Sequence, residues 1–585
     1  MDLVGQFGTF FATLATLLSP PFNWVLLIIS MVLGIVFGAL PGLTATLGVA
    51  LLTTLTYGLP LSSAMIALLA MYVGAVYGGS YASILINIPG TAAAAATALD
   101  GYPMALKGEG GRALGLTTTA SFIGTILGTL ALTATAPLIA RLALQFTSFE
   151  FFLLAFFGIA ISGSLTAKDL YYKSWIAGLL GLALACVGRD NLQSYPRFTM
   201  GFSQLEGGIE VVPVLIGAFG IPQIIKTMRD PLRTGKPQEV RKILPDWRTI
   251  GRQLKNVIRS ALIGIGIGAI PGVGEDVAAW VSYGTAKNTS RHPERFGTGE
   301  PAGVVACETA NNACIGGALI PLLTLGIPGS PPAAMLLGAL LIHGVNPGPN
   351  LPFERPGFLI EVTAIMLLCS AAMWICGMLL CRQVIKVLRA PSEVFLPIVG
   401  VLCVIGSYAI GLNVVNLYLM VLVGVAAFFL IEMEYPIAPL VIGVILGPMA
   451  DENLRRALMV SQGSILPFFT RPVSVLLLLT IVLVMLNQVP AYRQWQAAFF
   501  DRMRRRHDRE PPGAVGLSQS RAQDRSAPGR DLGPSDSSLL VGEGRRCARL
   551  RPDGARAGRG RCGATHEARR ARGVLHRAEA APRPG

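Results

Sequence analysis

Long uninterrupted apolar stretches constrain this chain more than any other feature. Several runs reach the roughly 17–25 residues that a helix needs to cross a bilayer, among them 22–40, 113–136, 358–380 and 473–489. These runs are continuous rather than alternating, which favours helices over barrel strands. Only 14% of the 585 residues are charged, against about 25% in soluble domains. The sequence therefore predicts an all-α polytopic membrane protein with about 12–15 membrane segments.

Basic residues predict how these segments are oriented. The loop 226–259 holds ten Lys and Arg against three acids, so the positive-inside rule places it in the cytoplasm. Counting segments onward from this loop also places the C-terminus in the cytoplasm. Residues 501–585 contain 20 Arg, no Lys and 10 acids, which leaves only +5 of the net charge of +15 for the rest of the chain. This tail lacks hydrophobic periodicity, and we expect a disordered extension rather than a nucleic-acid-binding region.

A helix break recurs halfway along the chain. The strings "GALPGLTAT" (38–46) and "GAIPGVGED" (268–276) each interrupt an apolar run with Pro-Gly, at an offset of 230 positions. A second pair, "GGSYASILINIPGT" (78–91) and "GGALIPLLTLGIPGS" (316–330), ends in Ile-Pro-Gly followed by a hydroxyl residue. By the positive-inside count, the chain leaves the first hairpin toward the cytoplasm and the second toward the outside. We therefore expect two inverted repeats with broken helices and re-entrant hairpins.

Interrupted segments at matching positions of inverted repeats indicate the binding site of a transporter, because freed backbone groups are tolerated only inside protein or beside water. Small residues at 92–96 and 333–339 favour sliding of the hairpins, as in elevator-type carriers, and rocking of one half against the other is the alternative.

These patterns divide the chain into five expected regions. They are an N-terminal segment (1–20), a first membrane repeat (21–225), a basic cytoplasmic linker (226–255), a second membrane repeat (256–490) and the tail (491–585).

Polar residues near the breaks are candidates for binding a carboxylate or a cation. Helix starts attract carboxylates, whereas hydroxyl and carbonyl oxygens suit Na⁺; the alternative is that these residues only tie helices together. Glu308 is a candidate cation ligand or proton carrier, because an intramembrane carboxylate is costly. Glu275 and Asp276 have the alternative role of capping a helix. The predicted substrate- and ion-binding residues are Gly42, Thr44, Ser80, Ser83, Asn87, Gly90, Thr91, Gly272, Glu308, Asn311, Asn312, Gly329 and Ser330, with no metal expected beyond Na⁺ at the same residues.

At these motifs the chain closely resembles the large membrane subunit of the tripartite tricarboxylate transporter family. The resemblance spans roughly residues 20–490. It rests on "GALPGLTAT", "GGSYASILINIPGTAAAAATALDGYPMALKGEGGRALG", "GAIPGVGEDVAAWVSYGTAK", "ETANNACIGGALIPLLTLGIPGSPPAAMLLGALLIHGVNPGPNL" and "GPMADENLRRAL". Two positions depart from the family pattern: Ala302 stands where Glu is usual, and Cys307 where Pro is usual.

The resemblance implies a multi-pass permease of the bacterial inner membrane that imports a tricarboxylate or related carboxylate by Na⁺ or H⁺ cotransport. A periplasmic solute-binding protein and a small membrane subunit would be its partners. We expect no cofactor besides the coupling ion and no nucleic-acid partner. We also expect a homodimer contact. The residues agree that ATP is not used, because no G-x-x-x-x-G-K-[ST] motif occurs. A passive anion channel and an intramembrane enzyme are the alternatives, although neither G-x-S-x-G nor H-E-x-x-H is present.

Overall fold

The computed structural model describes residues 3–166, 171–190, 192–229, 240, 243, 245–388, 392–488 and 492. Apart from residue 492, the predicted tail lies outside the described residues, as does most of the linker between 230 and 244.

The apolar runs form α-helices, because a backbone in a bilayer must satisfy its hydrogen bonds within its own segment. Up to residue 229 the helices are α1 (Leu3–Leu18), α2 (Pro21–Ala39), α3 (Ala45–Leu55), α4 (Leu61–Ile86), α5 (Ala94–Met104), α6 (Gly110–Ala143), α7 (Ser148–Thr166), α8 (Tyr171–Ala185) and α9 (Val211–Arg229). A π-helical turn, Ala105–Glu109, joins α5 to α6, and two short strands, β1 (Gly188–Arg189) and β2 (Pro196–Arg197), pair antiparallel.

The remaining helices follow the linker. They are α10 (Trp247–Arg252), α11 (Leu254–Gly268), α12 (Gly274–Asn288), α13 (Pro301–Leu325), α14 (Pro331–Ile342), α15 (Leu351–Glu354), α16 (Phe358–Leu379), α17 (Cys381–Leu388), α18 (Ser392–Ala409), α19 (Val414–Glu432), α20 (Ile437–Val460), α21 (Pro467–Thr470) and α22 (Pro472–Gln488). Short 3₁₀ turns lie at Ser203–Leu205 and Pro293–Arg295.

Seven helices among the described residues are long and apolar enough to cross a membrane. They are Pro21–Ala39, Leu61–Ile86, Ala94–Ala143, Val211–Arg229, Phe358–Leu379, Val414–Glu432 and Ile437–Val460. The prediction of an all-α multi-pass membrane protein is thus confirmed. The spans are fewer than the 12–15 segments expected; seven further apolar helices of the described residues, α3 and α14 among them, have only 10–17 residues.

Both Pro-Gly motifs break their helices as predicted. Helix α2 ends at Ala39 and α3 begins at Ala45, whereas α11 ends at Gly268 and α12 begins at Gly274. Proline has no N–H to donate to a helix, and Gly42 (φ 97°) and Gly272 (φ 75°) have left-handed backbones that a side chain would strain.

Glycines let the two broken helices approach their neighbours closely. Helix α2 lies along α4, and α11 lies along α13. A side chain at Gly38 would overlap the carbonyl oxygen of Ala75, and one at Gly268 would overlap that of Cys314. Contacts of this kind hold membrane helices together by van der Waals packing. Helix α13 also packs along α6.

A second group of helices joins segments far apart in sequence. Helix α20 packs against α7 and α8, and α9 packs against α18 and α19. Gly443 of α20 lies against the carbonyl of Gly178 in α8, and Gly217 of α9 lies against the carbonyl of Met420 in α19. Helices α7, α8, α9, α18, α19 and α20 are called the outer helices below.

Candidate functional site

Each Ile-Pro-Gly turn lies against the broken helix that precedes it. We call residues 88–91 the first turn and 327–330 the second turn. A side chain at Gly90 would overlap the carbonyl oxygen of Gly38, and one at Gly329 would overlap that of Gly268. The Gly272 N–H also donates to the Pro328 carbonyl at 3.3 Å. The breaks and the turns are therefore packed together, backbone against backbone.

Three of the predicted hydroxyl ligands accept backbone N–H groups near helix starts, and two of them, Thr44 and Ser330, are the N-caps of their helices. Thr91 accepts from the Ala94 N–H at 3.3 Å, Ser330 accepts from the Ala333 N–H at 3.4 Å, and Thr44 accepts from the Leu47 N–H at 3.2 Å. These bonds satisfy N–H groups that have no partner within a helix.

Glu308 lies at the centre of a buried polar cluster. Its side chain has no exposed surface. The carboxylate accepts from Ser80 of α4 at 2.5 Å, from Thr97 of α5 at 2.5 Å and from Ser121 of α6 at 2.9 Å. Four helices therefore contribute five side-chain oxygens to one place, which we call the Glu308 cluster. Ser80 and Glu308 were predicted, whereas Thr97 and Ser121 were not.

The two asparagines on the next turn of α13 face different neighbours. Asn311 donates to the Val76 carbonyl at 3.2 Å, and Asn312 donates to Thr125 at 3.1 Å. Within the described part of the chain, the Oδ1 atoms of both residues and the Ser83 hydroxyl are buried without a hydrogen-bond partner. Buried polar atoms are almost always paired, so these three oxygens are free to accept a further hydrogen bond.

The two acids after the second break reach both turns. Buried Glu275 accepts a hydrogen bond from Tyr72 of α4, whose hydroxyl lies 2.7 Å from that of Ser330. Asp276, which is exposed, accepts from the backbone N–H of Ala93, just past the first turn. Both acids occupy the first turn of α12, where negative charge is favourable. Tyr72 was not predicted from the sequence.

Two other predicted residues lie outside the Glu308 cluster. Asn87 ends α4 in a left-handed conformation (φ 55°) with its side chain exposed, a position that asparagine tolerates. Gly42 faces α9, where a side chain on it would lie 2.5 Å from Nε2 of Gln223.

A charged network surrounds the short strands. Asp190 is paired with Arg455, and Arg197 pairs with Asp451 at 2.9 Å. The Arg455 guanidinium holds the pKa of Asp190 well below its usual value. The backbone N–H groups of residues 192 and 193 lower this pKa further. This network attaches the "GPMADENLRRAL" motif of α20 to the loop after α8.

Comparisons with known proteins agree with this architecture. The profile of the tripartite tricarboxylate transporter TctA family matches residues 25–442. The uncharacterized 52.8 kDa protein in the TAR-I ttuC' 3'region of Agrobacterium vitis is 35% identical over 497 residues, 84% of this chain and 98% of the relative. The uncharacterized protein in the TAR-II ttuC' 3'region of the same organism is 36% identical over 228 residues, 39% of this chain and 94% of the relative.

No solved structure matches the chain. A profile match across more than half of the chain and a relative covered almost completely are sufficient to assign the family. The chain belongs to the tripartite tricarboxylate transporter TctA family, as a large membrane subunit, and is a transporter protein rather than an enzyme.

Proposed function

We propose that this permease imports a tricarboxylate or related carboxylate across the bacterial inner membrane, driven by cotransport of Na⁺ or H⁺. A periplasmic solute-binding protein delivers the substrate, a small membrane subunit completes the system, and the C-terminus is cytoplasmic. The observation that carries the proposal is the Glu308 cluster, a fully buried carboxylate surrounded by three hydroxyl groups.

The coupling cation binds at the Glu308 cluster. A buried carboxylate is costly without a counter-charge, and its hydrogen-bond partners in the described structure, Ser80, Thr97 and Ser121, are neutral. A proton would neutralise the carboxylate directly. A sodium ion would do so with five oxygens around it, because hydroxyl groups that donate to an empty carboxylate can turn their lone pairs toward a cation.

The substrate carboxylates bind where the two turns lead into α5 and α14. The positive end of the helix dipole lies at each of these starts and suits an anion, although α14 begins with Pro331 and Pro332, which have no N–H to donate. Gly90, Thr91, Gly329 and Ser330 lie at these starts. The unpartnered oxygens of Ser83, Asn311 and Asn312 lie on the adjoining helices α4 and α13.

Matching contacts support two inverted repeats. Gly38 meets Gly90 in the first half as Gly268 meets Gly329 in the second. The outer helices repeat the pattern: α9 rests on α19 through Gly217 in the way that α20 rests on α8 through Gly443. Because each outer contact joins one half to the other, these helices suit the fixed scaffold of an elevator carrier, and a homodimer contact would form on that scaffold.

Uptake into proteoliposomes tests the proposal. The permease is reconstituted with and without the small subunit, and labelled citrate is supplied with and without the binding protein, under a Na⁺ gradient or a pH gradient. The expected result is saturable accumulation above the equilibrium level that needs both partners and one of the gradients. The variant Glu308→Gln, which keeps the side-chain volume but removes the charge, should lose ion-driven accumulation. Equilibration without accumulation would instead identify a channel, and full uptake by the permease alone would contradict the role given to the partners.

A further inference from the structure

Another buried carboxylate, Asp100, lies three residues after Thr97 of the Glu308 cluster and binds a loop of the chain instead. Its side chain has no exposed surface. One carboxylate oxygen accepts three backbone N–H groups, from Gly297 at 2.8 Å, Gly299 at 2.9 Å and Glu300 at 2.8 Å. The other accepts from the Tyr283 hydroxyl at 3.0 Å. Hydrogen bonds to a charged acceptor are about twice as strong as neutral ones.

These bonds join two parts of the chain that are distant in sequence. Asp100 belongs to α5, which follows the first turn, whereas loop 297–300 leads directly into α13, which carries Glu308. Lys107 adds a hydrogen bond to the Thr298 carbonyl at 2.6 Å. Gly297 (φ 89°) and Gly299 (φ 105°) have the left-handed backbones that let successive N–H groups converge on one oxygen.

Helix α5 needs such an attachment. Its sequence, AAATALDGYPM, offers mostly small side chains and contains Pro103, so few bulky side chains fix its register along its neighbours. Thr97 stands three residues before Asp100, on the same side of the helix, and its hydroxyl donates to Glu308 at 2.5 Å. The register of α5 along α13 therefore decides whether the Thr97 hydroxyl reaches the carboxylate.

We propose that Asp100 is a positioning residue for the coupling-cation site: by anchoring α5 to loop 297–300, it holds the Thr97 hydroxyl against Glu308. The inference rests on the proposed function, since it takes the Glu308 cluster as the place where the cation binds. Asp100 itself touches neither cation nor substrate. Through Asp100, the position of Thr97 in the first half of the chain depends on loop 297–300 of the second half.

The test measures cation binding and transport separately. Cation binding to the purified full-length protein is followed as the rise in thermal stability with NaCl concentration, or with acidity, because a ligand that binds only the folded state stabilises it. Uptake is measured in the proteoliposomes with both partners. The variants are Asp100→Asn, Asp100→Ala, Thr97→Ala and the double variant Asp100→Asn with Thr97→Ala. Asp246→Asn is the matched control, because Asp246 also accepts a backbone N–H at a helix start but makes no contact with the Glu308 cluster.

Asp100→Asn and Thr97→Ala should each raise the half-saturating cation concentration, by about tenfold, as expected for one lost hydrogen bond to a charged group. At saturating cation the KM for substrate should change less than about twofold. The double variant should match Thr97→Ala alone, since Asp100 acts through Thr97, and Asp246→Asn should match the wild type.

The anchor is overturned if Asp100→Asn and Asp100→Ala lower stability or yield while the half-saturating cation concentration stays at the wild-type value. It is also overturned if the Asp100 and Thr97 effects multiply in the double variant. A wild-type protein that binds the cation but does not accumulate substrate would refute the proposed function alone. The role of Asp100 would still be tested by the cation dependence of thermal stability in the variants. A wild-type protein with no cation-dependent shift would refute both.

Discussion

Two glycines in α11 provide a sharp test of how the second broken helix packs. Gly268 and Gly266 are two positions apart in the same helix. A side chain at Gly268 would overlap the Cys314 carbonyl oxygen and lie 2.9 Å from the Ala318 nitrogen, whereas one at Gly266 would meet nothing within 4 Å. The comparison of Gly268→Ala with Gly266→Ala therefore isolates the close contact with α13 from the general effect of replacing glycine.

The magnitude follows from two opposing terms. Alanine inside a helix is favoured over glycine by roughly 0.5–1 kcal/mol. Gly266 gains this in full, whereas Gly268, the last residue of α11, gains less. At Gly268 the overlapping atoms belong to the backbone, so no rotation of a side chain relieves the overlap, and such overpacking costs about 1–3 kcal/mol. We therefore expect Gly266→Ala to be slightly stabilising and Gly268→Ala to be about 1–3 kcal/mol less stable than Gly266→Ala.

The assay combines thermal unfolding in detergent with uptake in the reconstituted system. Gly268→Ala should unfold at a lower temperature than Gly266→Ala and should also lose uptake, because the Gly268 carbonyl oxygen lies where Gly329 of the second turn packs. If both variants are equally stable and equally active, the close packing of α11 on α13 and on the second turn is refuted.

Three further outcomes are expected. Partial burial acts to raise the pKa of Asp246, but bonds from Thr249 and Arg112 outweigh it and hold the pKa below its usual value; the stabilisation is therefore complete above about pH 4 and is lost only at lower pH. Hydrogen exchange of α10, corrected for intrinsic rates, should stay slow from pH 8 to 5, and acceleration within that range would contradict this. Deleting 510–585 should leave uptake per folded protein unchanged, because nothing in that segment has the periodicity of a packed or membrane-crossing element. A short bismaleimide joining Lys107→Cys to Thr298→Cys should preserve uptake if the two hairpins move together, whereas loss of uptake on crosslinking would favour rocking of the halves.

Features set by local chemistry could be predicted from the sequence. The ends of α2 and α11, just before Pro41 and Pro271, were predictable because proline and glycine interrupt a helix through their own chemistry. Glu308 was identified because a carboxylate in an apolar helix is expensive wherever it points. Asn87 was predicted as a ligand, and whether it is one stays a prediction; its left-handed backbone is a local reason for asparagine at that position.

Contacts between distant helices could not be predicted in the same way. Helix α4 is buried on nearly all sides, so no polar face indicates that Tyr72 points toward Glu275 and Ser330. Thr97 and Ser121 meet Glu308 across about 200 positions of sequence. Thr97 is the only Ser or Thr of α5 but stands in a run of small residues, and Ser121 is one of many hydroxyl residues in α6. Asp100 was not predicted, since its backbone partners lie 197–200 positions away in the sequence.

The distribution of polar contacts favours sliding of both hairpins as one body. We call α4 with α5 the first hairpin and α13 with α14 the second. Ser80 and Thr97 of the first hairpin bind Glu308 of the second, and Tyr72 contacts Ser330. Separating these groups would leave polar atoms buried without a partner, at a cost of about 1–3 kcal/mol each. The second break meets the outer helices through apolar or small groups, with Gly158 of α7 lying where a side chain would be 3.6 Å from Pro271. Rocking one half against the other would break the polar bonds between the hairpins, whereas sliding along that surface leaves them in place. We therefore expect the motion to carry the Glu308 cluster intact.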